Sequence, residues 1–186
     1  VSSTQNISMN PDDNYKFRVN ISDIISNPSS TIISAPPQFG LTCLSHYMVL
    51  EAWKTEHKVW MYIDSTKLKA HNVKAYVEKE FDLFGLDKNH AIDCVILDEW
   101  RPSDSGSLKK LKAVCEFFPE TPVILMRTLE DAKFLKGKQE DIKIYRHFDT
   151  LFLLAMTRNQ IRTVVTTYNK DERIKELIHF IMTGAI

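Results

Sequence analysis

The chain has 186 residues, which is enough for one domain with a sizeable hydrophobic core. Its 24 basic and 24 acidic residues cancel, so the composition does not indicate the clustered positive charge of a nucleic-acid-binding surface. Three widely spaced cysteines form no zinc or disulfide pattern, and no apolar run is long enough to cross a membrane. We therefore expect a folded protein of the reducing cytoplasm with no membrane contact.

The first 29 residues predict an arm or linker. Residues 1–14 are rich in Ser, Asn and Asp, which favours a flexible segment, and residues 15–19 alternate in hydrophobicity as a short strand does. Residues 21–30 give a helical signal that stops at the turn sequence Asn-Pro-Ser-Ser. No Met begins the chain, so we expect it to be a piece of a longer protein.

Residues 30–168 predict a domain in which short apolar strands alternate with helices. We expect strands over residues 31–34, 59–63, 92–97, 121–126, 142–145 and 150–155. We expect helices over residues 42–55, 72–84, 107–118 and 157–168, the first of them buried on more than one side. Strands that are apolar throughout are covered on both faces, so the pattern predicts a doubly wound, mainly parallel sheet in a three-layer αβα domain. Residues 169–186 continue as a helix over 171–182, which we expect to begin a further helical region.

The segment that follows the first of these buried strands matches most of a phosphate loop. The template is GxxxxGK[ST] between a strand and a helix, and here Gly40 and Thr42 stand at the second Gly and the Thr positions. Ala35 replaces the first Gly, and Leu41 replaces the Lys. Backbone N–H groups and a helix N-terminus can still face an anion, and the hydroxyl of Thr42 can still bind Mg²⁺. The candidate nucleotide-binding residues of the loop are Gln38, Phe39, Gly40, Leu41 and Thr42.

The missing lysine has a predictable effect. Removing one preorganised charge from a water-excluded site costs about 3–4 kcal/mol of transition-state stabilisation, by analogy with an oxyanion hole. We therefore expect hydrolysis to slow before binding is lost.

Acidic and basic side chains follow two later strands. Residues 95–99 read Val-Ile-Leu-Asp-Glu, an apolar strand with two acids at its end, as in a Walker B motif. This pattern predicts that Asp98 supports Mg²⁺ and that Glu99 is the catalytic base which polarises water. Arg127 ends the next strand, and because parallel strands present their carboxyl ends at one edge, it is placed to contact a terminal phosphate.

Each of these features also has an ordinary explanation when it is taken alone. A degenerate loop can be a simple turn, and acids after a strand are often a solvated strand end. The six histidines show no ligand spacing, and Cys43 is explained as a packed thiol. It is the order of the three motifs on successive strand ends that favours the phosphate-loop interpretation.

The order of these motifs resembles the NTPase core of the STAND class, the signal-transduction ATPases related to NACHT proteins. Residues 151–162 strengthen the resemblance, since they are similar to the apolar run and helix start that follow the sheet in that class, and Thr157 would be the N-cap. The resemblance covers residues 30–183.

The resemblance implies a core that binds ATP or ADP with Mg²⁺ and switches oligomerisation beside an effector and a sensor domain. Many members act in bacterial defence against phage. Thr42, Asp98, Glu99 and Arg127 match the functional positions of that class, whereas Leu41 departs from them. We therefore expect a degenerate regulatory or oligomerisation module with impaired or absent ATP hydrolysis, whose partners are other domains of a longer chain or further copies.

Two other functions stay open from the sequence. The acidic pair Asp98 and Glu99 favours a slow ATPase in which another cation replaces the lysine. A domain that binds a peptide or protein at a sheet edge, without any nucleotide, is the third hypothesis.

Overall fold

The computed structural model describes residues 7–8, 18–87, 90–129 and 146–155, together with 158, 159 and 162. The chain divides into two compact units, Val1–Leu154 and Ala155–Ile186. In the second unit, the described residues Arg158, Asn159 and Arg162 are helical. Among the described residues, no helix has the length and apolarity needed to cross a membrane.

The first unit is built on one mixed sheet. Its strands in the described ranges are β1 (Ile7–Ser8), β2 (Arg18–Val19), β3 (Thr31–Ala35), β4 (Trp60–Asp64), β5 (Cys94–Asp98), β6 (Val123–Thr128) and β7 (Asp149–Leu153). Their order across the sheet is β2-β1-β7-β3-β6-β5-β4. The five strands from β7 to β4 are parallel, and β1 pairs antiparallel with both β2 and β7.

Helices lie between successive strands from β2 to β6. They are α1 (Ile21–Ser26), α2 (Leu41–Glu56), α3 (Val73–Phe84) and α4 (Ser107–Phe117), with a short 3₁₀ turn at Ala70–Asn72. The C-terminus of α3 is set by Gly85, whose φ of 64° lies in the left-handed region that glycine adopts without strain.

Consecutive strand residues point to opposite faces of the sheet, and each face has its own core. The core on the side of α1 and α2, called here the α2 side, includes Ile33, Leu44, Met48, Ile96 and Met126. The core on the side of α3 and α4, called the α4 side, includes Val77, Leu97, Leu111, Val114 and Leu125. The neighbouring pairs 96–97 and 125–126 are thus split between the two cores, which confirms the predicted three-layer αβα fold with its parallel sheet.

Two expectations differ from the structure. Ile7 and Ser8 lie in the segment expected to be a flexible arm, but they form a strand paired with both β2 and β7. Helix α2 is buried on one side only, since Tyr47, Leu50 and Trp53 are 39%, 51% and 53% exposed. An apolar pattern in the sequence shows that the side chains are hydrophobic, but it does not show whether another element packs against them.

The remaining elements agree within a few residues where the structure describes them. The strand predicted at 150–155 is β7, at Asp149–Leu153. The strand predicted at 142–145 and the helix at 171–182 lie outside the described residues, as does most of the helix at 157–168.

Candidate functional site

The loop between β3 and α2 lies at the carboxyl edge of the parallel sheet. The strand ends at Ala35 and the helix begins at Leu41, so residues 36–40 form the connection. Gly40 is the N-cap of α2 with a φ of 80°, and Gln38 has a φ of 67°. The first N–H groups of a helix have no acceptor within the helix, so this edge presents donors and the positive end of the helix dipole.

The position of the template lysine is part of the hydrophobic core. The side chain of Leu41 is 8% exposed and belongs to the α2-side core, which also includes Ala35 and Met126. Thr42 is partly buried on the first turn of α2, and Phe39 is 37% exposed on the loop. The loop therefore keeps the backbone features of the template, while its one charged side chain is replaced by an apolar core residue.

Asp98 is buried and hydrogen-bonded at the same edge. It ends β5, is 1% exposed, and its Oδ2 accepts a hydrogen bond of 3.0 Å from the phenol of Tyr62 on β4. Burial, and then the charge of Asp98 and this hydrogen bond, raise the pKa of Tyr62, so the phenol keeps its proton. The ring of His46 on α2 stacks on Tyr62 with 4.5 Å between ring centroids. This imidazole–phenol–carboxylate series links α2, β4 and β5.

Glu99 follows Asp98 in an uncommon backbone conformation. Its φ is 53°, a left-handed value that costs a non-glycine residue energy and is often found at functional sites. Its carbonyl accepts a hydrogen bond of 2.7 Å from Ser65 Oγ, and its carboxylate lies 3.4 Å from the guanidinium of Arg101. The Glu99 side chain is 38% exposed, so its carboxylate lies at the solvent-accessible surface of this edge of the sheet.

Arg127 lies on the other face of the sheet from Asp98. Its Nε donates to Ser34 Oγ at 3.2 Å, and the two residues are also register partners on β6 and β3. Their neighbours Leu125 and Ile32 belong to the α4-side core, whereas Asp98 alternates with Leu97 of that core and so points to the α2 side. The structure thus brings Asp98 and the loop to one edge and one face, and it places Arg127 on the opposite face.

Several polar residues of this edge were not found from the sequence. Asp64 ends β4 as the register partner of Asp98, and it accepts hydrogen bonds from Thr66 and an ion pair of 3.0 Å from Lys67. Burial alone would raise the pKa of Asp64, but the Thr66 and Lys67 contacts outweigh it and lower the pKa. Lys110 of α4 donates to the carbonyl of Ser65 at 2.7 Å. The sequence signal that could have revealed these residues is that β4, like β5, ends in an acidic residue, Asp64.

The acids of this edge do not form a cluster of metal ligands among the described residues. Within the described ranges no cluster of three His, Cys, Asp or Glu residues could hold a metal ion. The Oδ2 atom of the buried Asp98 carboxylate already accepts the hydrogen bond from Tyr62. The assignment of Thr42 and Asp98 as Mg²⁺ ligands stays a prediction.

No protein-family model and no curated protein sequence matches this chain. Among solved structures, the Orc1 protein of Aeropyrum pernix, in a complex with DNA, matches with a TM-score of 0.55, 13% identity and coverage of 81% of this chain and 48% of Orc1. The fold is P-loop NTPase-like. The replication initiator DnaA, bound to AMPPCP and single-stranded DNA, matches with a TM-score of 0.51, 13% identity and coverage of 86% and 53%. The chain spans about half the length of these proteins, and at this identity the likeness shows the fold alone.

Proposed function

We propose that this chain is a nucleotide-binding module of a STAND-like kind that regulates or assembles a longer signalling or bacterial defence protein, with impaired or absent ATP hydrolysis. One observation carries the proposal: a loop of phosphate-loop length and position joins β3 to α2, while the lysine position holds the core residue Leu41. We keep residues 1–29 as an arm, 30–168 as the nucleotide-binding core and 169–186 as the start of a further helical region in this proposal.

The geometry supports binding more than turnover. An anion at the loop meets the N–H groups of residues 38–42 and the N-terminus of α2, which together form a recurring phosphate site. Hydrolysis needs charge stabilisation in the transition state, and each lost donor or cation costs about 10²–10³ in rate. Leu41 supplies no charge, and the Glu99 carboxylate is engaged by Arg101. A nucleotide would therefore act as a ligand that changes stability or assembly.

The test is thermal unfolding with and without millimolar ADP or ATP, in the wild type and in Gln38→Glu. A ligand that binds only the folded state stabilises it by about 2.7 kcal/mol at a hundredfold excess over its Kd. Gln38 is exposed on the loop, so Gln38→Glu adds a negative charge with little change in shape and should abolish the shift. Asn27→Asp is the matched control, because it makes the same amide-to-acid change at an exposed position before β3, at the opposite edge. An unchanged midpoint for the wild type with either nucleotide would refute the proposal.

The exposed face of α2 favours a second candidate, a protein-interaction domain. Tyr47, Leu50 and Trp53 lie three residues apart and form an apolar stripe on one side of the helix. This function requires no nucleotide. It predicts that Gln38→Glu leaves partner binding unchanged, whereas Trp53→Glu abolishes it.

A further inference from the structure

The acids at the carboxyl edge of the sheet already have hydrogen-bond donors from the protein. Asp98 has Tyr62, Asp64 has Thr66 and Lys67, and Glu99 has Arg101. A carboxylate that binds a metal normally holds an oxygen toward open space for the cation. Here the most buried of the three, Asp98, has its Oδ2 covered by a phenol.

The phenol of Tyr62 is itself fixed in place. Tyr62 lies on β4 opposite Ile96 of β5, so its side chain is on the same face of the sheet as that of Asp98, two residues further along β5, and its hydroxyl reaches Asp98 Oδ2. His46 covers the ring from α2. Moving the phenol away from Asp98 would leave a buried carboxylate without this donor, and such a loss costs about 1–3 kcal/mol or more for a charged group. A divalent cation bound to Asp98 would have to displace the hydrogen bond from Tyr62 and offset the free energy lost with it.

We propose that Tyr62 holds Asp98 as a structural acceptor, so that this site binds the phosphates of a nucleotide without a divalent cation. The inference rests on the proposed function and specifies its ligand. Without Mg²⁺, and with Leu41 at the lysine position, the added phosphate of ATP brings charge that neither a metal ion nor the side chain at position 41 neutralises. ATP therefore binds no more tightly than ADP.

The experiment is calorimetric titration of ADP into the folded protein, once with excess MgCl₂ and once with EDTA. In the wild type, the Kd for ADP should differ by less than about twofold between the two buffers, because the hydrogen bond from Tyr62 keeps Asp98 Oδ2 from binding Mg²⁺. In Tyr62→Phe, Asp98 loses its donor and becomes available, so Mg²⁺ should tighten ADP by about tenfold. Tyr76→Phe is the matched control. Its phenol contacts the backbone N–H of Asp64 at the same edge and does not touch Asp98, so it should behave as the wild type.

Three results would overturn the inference, and they differ in what they say of the proposed function. A wild-type Kd that tightens by about tenfold or more with Mg²⁺ shows that a cation binds, and leaves nucleotide binding intact. A folded Tyr62→Phe that gains no Mg²⁺ effect shows that Tyr62 is not what keeps the metal away. No ADP binding in either buffer refutes the proposed function and this inference together. The wild-type comparison decides the matter by itself if Tyr62→Phe does not fold.

Discussion

Leu41 fills a place in the α2-side core where the phosphate-loop template carries a lysine. Its burial means that the substitution is built into the packing beneath α2. Ala35, at the first position of the template, is fully buried in the same core. At the two positions where the sequence departs from the template, the structure therefore has apolar core contacts, and restoring the lysine would disturb them.

Leu41→Lys should lower the free energy of unfolding by about 2–3 kcal/mol, because an ammonium would replace an apolar side chain that is 8% exposed. Leu41→Met is the control, since a swap that conserves volume and polarity costs less than about 1.5 kcal/mol. Urea unfolding followed by circular dichroism measures both. If Leu41→Lys were as stable as Leu41→Met, position 41 would be open to the phosphate site, and the core role given to it here would be wrong.

Single residues show which part of the site a sequence can reveal. The motif order predicted that the loop and Asp98 lie at one edge, and they do, because parallel strands share a carboxyl edge. Tyr62 and His46 were missed, since an aromatic residue in a strand and a histidine in a helix look like ordinary packing. Their role depends on a hydrogen bond and a ring contact between residues distant in sequence, which no local pattern contains.

Arg146 joins two elements by donating to the turn that ends α4. Its guanidinium donates to the carbonyls of Thr121 at 2.8 Å and Phe118 at 2.7 Å, and also to that of Pro119. Phe118 is the C-cap of α4, so these contacts satisfy carbonyls that the helix end leaves without partners. Arg146 lies just before β7, and the contacts fix the entry of that strand beside the turn.

Arg146→Met should therefore cost about 1.5–3 kcal/mol, because it removes several hydrogen bonds from a charged donor to half-buried carbonyls. Lys112→Met on α4 is the control, since its ion pair with Glu116 is exposed on both sides and such pairs contribute about 0.3–0.5 kcal/mol. Chemical denaturation of the two variants gives the difference directly. Equal losses in the two variants would show that the Arg146 contacts add nothing beyond an exposed charge.

The helices and strands could be predicted where their burial produces a hydrophobic pattern in the sequence. The apolar runs located β3 to β6 because these parallel strands have helices against both faces of the sheet, and their ends shifted by only one or two residues. The exposed face of α2 could not be predicted. Tyr47, Leu50 and Trp53 have the hydrophobicity of core residues, and only the tertiary arrangement shows that no described element covers them.

At the scale of the whole molecule, the sequence did not predict the order of the strands in the sheet. Alternating strands and helices predict a parallel sheet, but they do not say that β6 lies between β3 and β5. That order places β3, β6 and β5 at the centre, each with a partner on both sides, and it leaves β4 at one end and β2 at the other. Across the described sheet, the strands therefore change from fully buried ones such as β5 to strands of only two residues at the antiparallel end.

Amide hydrogen exchange should follow this gradient. The amides of β5 and β6 are buried and lie within paired strands, so they open only when the whole unit unfolds, and their opening free energy should equal the global value. Val19 on β2 lies in a strand of two residues and should exchange through local opening at much lower free energy. Native-state exchange read by NMR at Ile96, Leu125 and Val19 measures the difference. Protection at Val19 as strong as at Ile96 would mean that the antiparallel edge unfolds together with the parallel core, and that residues 7–8 and 18–19 belong to the same cooperative unit as the candidate site.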